Sequence, residues 1–162
     1  MLYFAYGSNM SERRLVRRVS SAQKIATCEL RGHKLAFHKI SKIDGSAKCD
    51  IPSSESDTVI GVLFDIADEQ IADLDRAERL GFGYESIPVD LVDPSGSSVR
   101  AMTYLATSID ASLKPYNWYK HHVLVGAREN NLPESYIEFI ESIESIEDPC
   151  TSRAESQMAI YR

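Results

Sequence analysis

Cysteine is scarce in this sequence of 162 residues: only Cys28, Cys49 and Cys150 occur, far apart and without a C-x-x-C pair. That spacing excludes a zinc ribbon, and any single bridge would leave an odd thiol, so reduced thiols in a cytoplasmic protein are the simpler expectation. Glycine and proline are also few, 8 and 6, which excludes collagen-like and low-complexity classes. Long apolar runs are missing, since no window approaches the roughly 20 residues of a membrane span. The opening MLYFAYGSNM has no basic n-region and its apolar run breaks at Gly7, so neither signal peptide nor anchor is expected. A basic surplus is absent too: 18 Lys+Arg face 24 Asp+Glu, a net charge of −6, which argues against nucleic acid as a main partner.

What is present is 43% hydrophobic and 26% charged, the composition of an ordinary folded chain of one domain. Residues 2–6 form an apolar and aromatic run that reads as a strand buried on both faces, ended by Gly7-Ser8-Asn9. Ser11 is placed to cap a helix over 10–19, with Leu15 and Val19 on one side and Arg13, Arg14, Arg17 and Arg18 forming a solvated or acid-paired basic face. Residues 24–40 read as strand segments bent at Arg31-Gly32-His33, 44–57 as a long surface loop, and 58–66 as a central strand. Asp68 suggests the cap of a helix reaching Arg79. Residues 84–93 and 98–106, joined by Pro94-Ser95-Gly96-Ser97, predict a β-hairpin. Pro115 opens a predicted helix to Glu129, a second helix is predicted over 134–146, and the tail beyond Asp148-Pro149 has no clear period. The expected fold class is α+β, a mostly antiparallel, barrel-like sheet with flanking helices. The expected division is one domain over 1–147 and a C-terminal tail over 148–162.

Two features point to chemistry. In Tyr3-Phe4-Ala5-Tyr6-Gly7-Ser8-Asn9-Met10, glycine lets backbone approach a ligand, and successive amides entering a helix form a concavity for a carboxylate or oxyanion. The same pattern also fits a plain turn. The second feature is Glu78, which shares a helical stripe with Ile71 and Leu74 at i, i+3 and i+7. A carboxylate there either turns inward, losing solvation and becoming suited to general acid–base work, or snorkels outward. Asp73, Asp75 and Arg76 fall on other, solvated faces, with Asp75 and Arg79 able to pair at i, i+4. Adjacent His121 and His122 diverge by about 100° on a helix, a poor arrangement for one metal, and His33 and His38 lack partners. Ser8 has no nucleophile elbow around it, and Cys28 reads as a packed small side chain.

In order along the chain, the segment Tyr3 to Met10, Leu74-Asp75-Arg76-Ala77-Glu78, and Tyr119 with Gly126-Ala127-Arg128-Glu129-Asn130-Asn131-Leu132-Pro133 resemble the three signatures of the γ-glutamylcyclotransferases. The resemblance implies a small cyclotransferase-like α+β barrel with no metal or organic cofactor. The activity it implies is conversion of a γ-glutamyl-amino acid into 5-oxoproline and the free amino acid. It implies Glu78 as the catalytic acid/base and Tyr3, Phe4, Ala5, Tyr6, Gly7, Ser8 and Asn9 as substrate-cradling residues, with Tyr119 and Tyr84 lining the pocket. The implied partner is a small γ-glutamyl molecule, and a homodimer is compatible with it. Glutathione-specific relatives carry Leu after the Gly-Ser pair, so Asn9 favours the branch acting on γ-glutamyl-amino acids. One departure stands out: many members follow the catalytic Glu with Gly, where this chain has Arg79. γ-Glutamylamines or a γ-glutamyl-protected intermediate as substrates, and a non-catalytic binding module, are the competing readings.

Overall fold

Strands arise where β-branched, aromatic and small apolar residues run together, and helices where apolar residues recur at three and four. In the computed structural model, which describes residues 1–162, the strands are β1 (Leu2–Ala5), β2 (Gln23–His33), β3 (Ala36–Ile40), β4 (Ala47–Asp50), β5 (Ser53–Asp65), β6 (Tyr84–Val92) and β7 (Ser98–Ala106). The helices are α1 (Glu12–Val16), α2 (Ile71–Glu78), α3 (Asn117–Glu129), α4 (Glu134–Ser142) and α5 (Thr151–Met158). Five strands close a barrel in the order β1-β5-β2-β6-β7, and β3 and β4 form a separate two-stranded sheet. All barrel pairings are antiparallel except the closing contact of β1 with β7. The mostly antiparallel, barrel-like α+β expectation therefore holds.

The apolar run over 58–66 is explained by its place. β5 is flanked by β1 and β2, and Val59, Val62, Leu63 and Phe64 are buried. Gly61 is required by close approach: a Cβ there would stand 2.5 Å from the Ala5 carbonyl oxygen and 2.7 Å from the Phe4 ring. The bend at Arg31-Gly32-His33 appears as a register shift in the β2–β5 ladder, with Gly32 at φ 75°. The hairpin of β6 and β7 forms as expected.

Several boundaries differ, each for a physical reason. The polar segment 44–57 is not a long loop, because Ala47 and Cys49 of β4 are small enough to pack beneath the barrel mouth, where both are buried. The helix expected over 10–19 is split into a 3-10 turn (Ser8–Met10) and the short α1. Ser11 contributes its carbonyl, which accepts from the Arg14 and Leu15 N–H groups, while its buried hydroxyl has no partner. Asp68 sits in a 3-10 turn ahead of α2 and its carboxylate lies 3.2 Å from the Met1 amino nitrogen, so it caps nothing. Pro115 precedes α3, and its carbonyl accepts instead from the Ile146 N–H. That bond draws Ile146 into a bridge with Tyr116, so α4 stops at Ser142.

The tail forms α5, which a weak apolar period concealed: only Ala154 and Met158 pack against the core, and polar groups complete the docking. Gln157 Oε1 accepts from Arg14 at 2.8 Å, and the His122 Nδ1 and Tyr161 hydroxyl are 2.7 Å apart. Arg14 is thus buried rather than solvated.

Helix α3 lies directly on the loop after β1. At Gly126 an added Cβ would come within 2.6 Å of both the Met10 Cβ and the Ser11 nitrogen. Backbone cannot yield as a flexible side chain can, so Gly126→Ala is expected to destabilise the protein by about 1–3 kcal/mol in urea unfolding. An unchanged midpoint would show that the helix and loop can move apart freely.

Candidate active site

At the mouth of the barrel a cleft is lined by Tyr3, Tyr6, Gly7, Ser8, Asn9, Cys49, Glu78, Tyr84, Tyr104 and Tyr119. The end of β1 and the turn after it supply one wall, α2 supplies Glu78, and β4, β6, β7 and α3 supply the rest. Gly7 lets the turn lie against Cys49 and Tyr119: a Cβ on it would stand 3.0 Å from the Cys49 Cβ and 3.4 Å from the Tyr119 hydroxyl. The Gly7 N–H has no hydrogen-bond partner within the chain.

Glu78 turns inward. Its Oε1 accepts from Asn9 Nδ2 at 2.7 Å and from the Arg18 guanidinium at 3.1 Å, and its side chain is 15% exposed. The Asn9 amide joins three groups: Nδ2 also donates to the Tyr3 hydroxyl at 3.0 Å, while Oδ1 accepts from Arg18 at 3.0 Å. A side-chain amide offers two N–H donors, used here on Glu78 and Tyr3, and a separate oxygen that accepts from Arg18, a combination that a single hydroxyl does not supply. Arg18, expected on a solvated or acid-paired face, finds its acid in Glu78 across the fold.

The tyrosines form the frame. Tyr84 donates to the Cys49 carbonyl at 2.6 Å, the Cys49 N–H donates to the Tyr119 hydroxyl at 3.0 Å, and Tyr6 donates to the Tyr104 carbonyl at 2.5 Å. Tyr104 in turn donates to Asp75 at 2.7 Å. Asp75 is therefore neither solvated nor paired with Arg79; it braces the pocket from α2. Burial pushes the Tyr3, Tyr6, Tyr84, Tyr104 and Tyr119 hydroxyls well above their ordinary range. All five are neutral, which leaves Glu78 and Arg18 as the charged pair at the cleft. Burial also pushes the Cys49 thiol up to about 12, so it is not a nucleophile.

Phe4 and Ala5 do not reach the cleft. Strand alternation turns the Phe4 ring onto Gly61, and Ala5 is buried opposite Val62. Their part is to hold β1: the Phe4 carbonyl accepts from the Thr103 hydroxyl at 2.8 Å. Cys49, Tyr104 and Arg18 were missed. The periodic arginines were the only signal for Arg18, and nothing local marks the other two.

Arg79 ends α2 in the left-handed region at φ 55°, ψ 51°, a conformation that suits glycine and costs a residue with a Cβ about 1 kcal/mol. The departure noted in the sequence thus falls where glycine has a backbone reason.

The profile of the AIG2-like family matches residues 58–140. Over 148 residues, 88% of this chain and 78% of the relative, the sequence is 33% identical to γ-glutamylcyclotransferase from Mus musculus and equally to that from Homo sapiens. The chain belongs to the γ-glutamylcyclotransferase family. A solved γ-glutamyl cyclotransferase superposes with a TM-score of 0.89 at 28% identity, covering 98% of both chains. A crystal structure of an uncharacterized protein from Homo sapiens matches with a TM-score of 0.88 at 29% identity, covering 99% of this chain and 98% of the other. As a γ-glutamylcyclotransferase-family barrel, the chain presents at its mouth a half-buried carboxylate, a glycine turn with a free amide, and a wall of neutral phenols. No helix is long and apolar enough to cross a membrane.

Proposed function

We propose that the protein releases 5-oxoproline and a free amino acid from a γ-glutamyl-amino acid, with Glu78 as general acid/base. The observation that carries this reading is the Glu78 carboxylate held at 2.7 Å by Asn9 of the glycine turn, inside a cleft of neutral tyrosines.

The substrate α-amino group is an ammonium at neutral pH and cannot attack until it loses a proton. Glu78 takes that proton, and Arg18, 3.1 Å from its Oε1, supplies the counter-charge beside this half-buried carboxylate. The freed nitrogen then attacks the γ-carbonyl carbon. A new C–N bond closes the five-membered lactam and the original amide C–N bond breaks; the ring nitrogen gives up its second proton as the bond forms, and both protons pass through Glu78 to the departing amine, which leaves as an ammonium. The attack is intramolecular, so holding the glutamyl chain folded supplies much of the acceleration without a covalent nucleophile. The amides of Gly7, Ser8 and Asn9 bind the substrate carboxylate or the developing oxyanion. The chemistry transfers no electrons and needs no group carrier. Tyr3, Tyr6, Tyr84 and Tyr119 shape the wall and exclude water. All three cysteines are unpaired, which fits a reducing, cytoplasmic setting.

The test is to incubate the purified protein with γ-glutamyl-alanine and quantify 5-oxoproline and alanine. Equimolar products are expected. Thermal stabilisation by γ-glutamyl compounds with no product from any donor would overturn catalysis in favour of a binding module.

A further inference from the structure

The cleft opens outward into a second cavity of about 210 Å³ that shares Glu78, Tyr84 and Tyr119 with it. Its lining is basic although the chain as a whole carries a net charge of −6. Of the lining cations, Arg18 is neutralised by Glu78, Lys48 by Asp44 at 3.0 Å, and Arg153 by Asp148. Arg14, Lys39 and Arg79 have no carboxylate partner.

Lys39 is the most telling of the three. The residue is only 6% exposed, and its ammonium makes no hydrogen bond and lies over the Tyr84 ring, 4.5 Å from its centre. An ammonium in such a place is costly unless an anion joins it. Burial holds Lys39 below its ordinary range, and the charge of Arg79 pushes it further the same way while that of Glu78 opposes. Lys39 and Arg79 line the same outer cavity, with Glu78 between it and the inner cleft as a shared wall.

We infer that this outer cavity binds the leaving half of the substrate through an anionic group, so that Lys39 and Arg79 select γ-glutamyl donors whose leaving amino acid carries carboxylates. This rests on the cyclotransferase reading. With the glutamyl part held at the turn and the scissile amide beside Glu78, the departing residue lies in the outer cavity. Its α-carboxylate meets one unpaired cation, and an acidic side chain meets a second. A γ-glutamylamine offers no anion there, and its binding leaves both cations unpaired. Arg79 adopts a strained backbone conformation where glycine would be relaxed, and an anion-binding role gives the arginine a function at that position.

The experiment measures 5-oxoproline release and kcat/KM for γ-glutamyl-glutamate, γ-glutamyl-alanine and γ-glutamyl-ethylamide, using the full chain at low and high salt. The expected order is glutamate, alanine, ethylamide, with roughly tenfold or more between the first and last, the scale of one charge-assisted contact. Arg79→Gly relaxes the backbone and so folds, and with Lys39→Met it should bring the glutamate-to-ethylamide ratio towards one, mainly through KM. Added salt should compress the ratio in the wild type more than in the variants. Equal kcat/KM for all three donors would overturn the inference and leave the cyclotransferase reading intact. No 5-oxoproline from any donor would overturn that reading and this inference with it.

Discussion

Glu78→Gln is expected to lower turnover of γ-glutamyl-alanine by about three orders of magnitude, the middle of the range for loss of a general acid–base group. The substitution keeps the shape of the side chain, and its amide oxygen can still accept from Asn9 and Arg18, which reach Oε1 at 2.7 and 3.1 Å. What it removes is the ability to take the ammonium proton. The fall should therefore appear in kcat, with KM and melting temperature little changed. Activity within tenfold of wild type in a folded Glu78→Gln protein would remove Glu78 from the chemistry and move attention to the tyrosine wall. Asn9→Leu makes a useful companion, because it leaves the base but withdraws its positioning hydrogen bond and strands the Tyr3 hydroxyl. Its loss should be smaller.

The second large effect concerns stability against acid. His122 is fully buried between α1 and α5, and burial together with the nearby Arg14 charge pushes it down to about 3. Burial and the Arg14 charge favour the neutral form, outweighing Gln157 Oε1, 3.1 Å from Nε2, which favours the protonated one. Arg14 can only donate, so Nε2, 3.1 Å away, accepts, and Nδ1–H donates to the Tyr161 hydroxyl at 2.7 Å. The sign follows from linkage. Above pH 6.5 both folded and unfolded states hold a neutral imidazole, and His122 contributes no pH dependence. Below 6.5 the unfolded chain takes up a proton that the folded one excludes, so stability falls as pH falls, until about pH 3. By pH 5 this amounts to about 2 kcal/mol. Urea unfolding at pH 7 and pH 5 should show His122→Gln losing that much less than wild type on acidification. Equal losses would mean that the imidazole accepts a proton in place. Because His122 and Arg14 anchor Gln157 and Tyr161, hydrogen exchange in acid should rise first in α5.

The uneven legibility of the chain has a physical basis. The barrel strands could be read because each is long, apolar on a simple period, and bounded by turn residues, as in 58–66 and the Pro94-to-Ser97 hairpin. Glu78 could be read because helical periodicity is local, and Leu74 and Glu78 share a stripe wherever the helix packs. The polar tail could not, because α5 brings only Ala154 and Met158 against the core and is otherwise held by hydrogen bonds from single residues of distant elements. The β4 segment was hidden for a similar reason: its Ser- and Asp-rich flanks look like loop, while its burial depends on what lies above it.

The amino-acid sequence by itself determined the family, the barrel class, the glycine turn and the place of Glu78 on the apolar stripe of its helix, while whether that carboxylate turned inward was left to the fold. Only the tertiary structure decided that Asn9 and Arg18 hold Glu78, that Asp75 braces Tyr104, that Phe4 and Ala5 do not reach the cleft, and that Lys39 and Arg79 have no carboxylate partner. Those facts join residues tens of positions apart. Hydrogen bonds and charge pairs of that kind form only after hydrophobic burial has closed the barrel, and they leave no period in the chain.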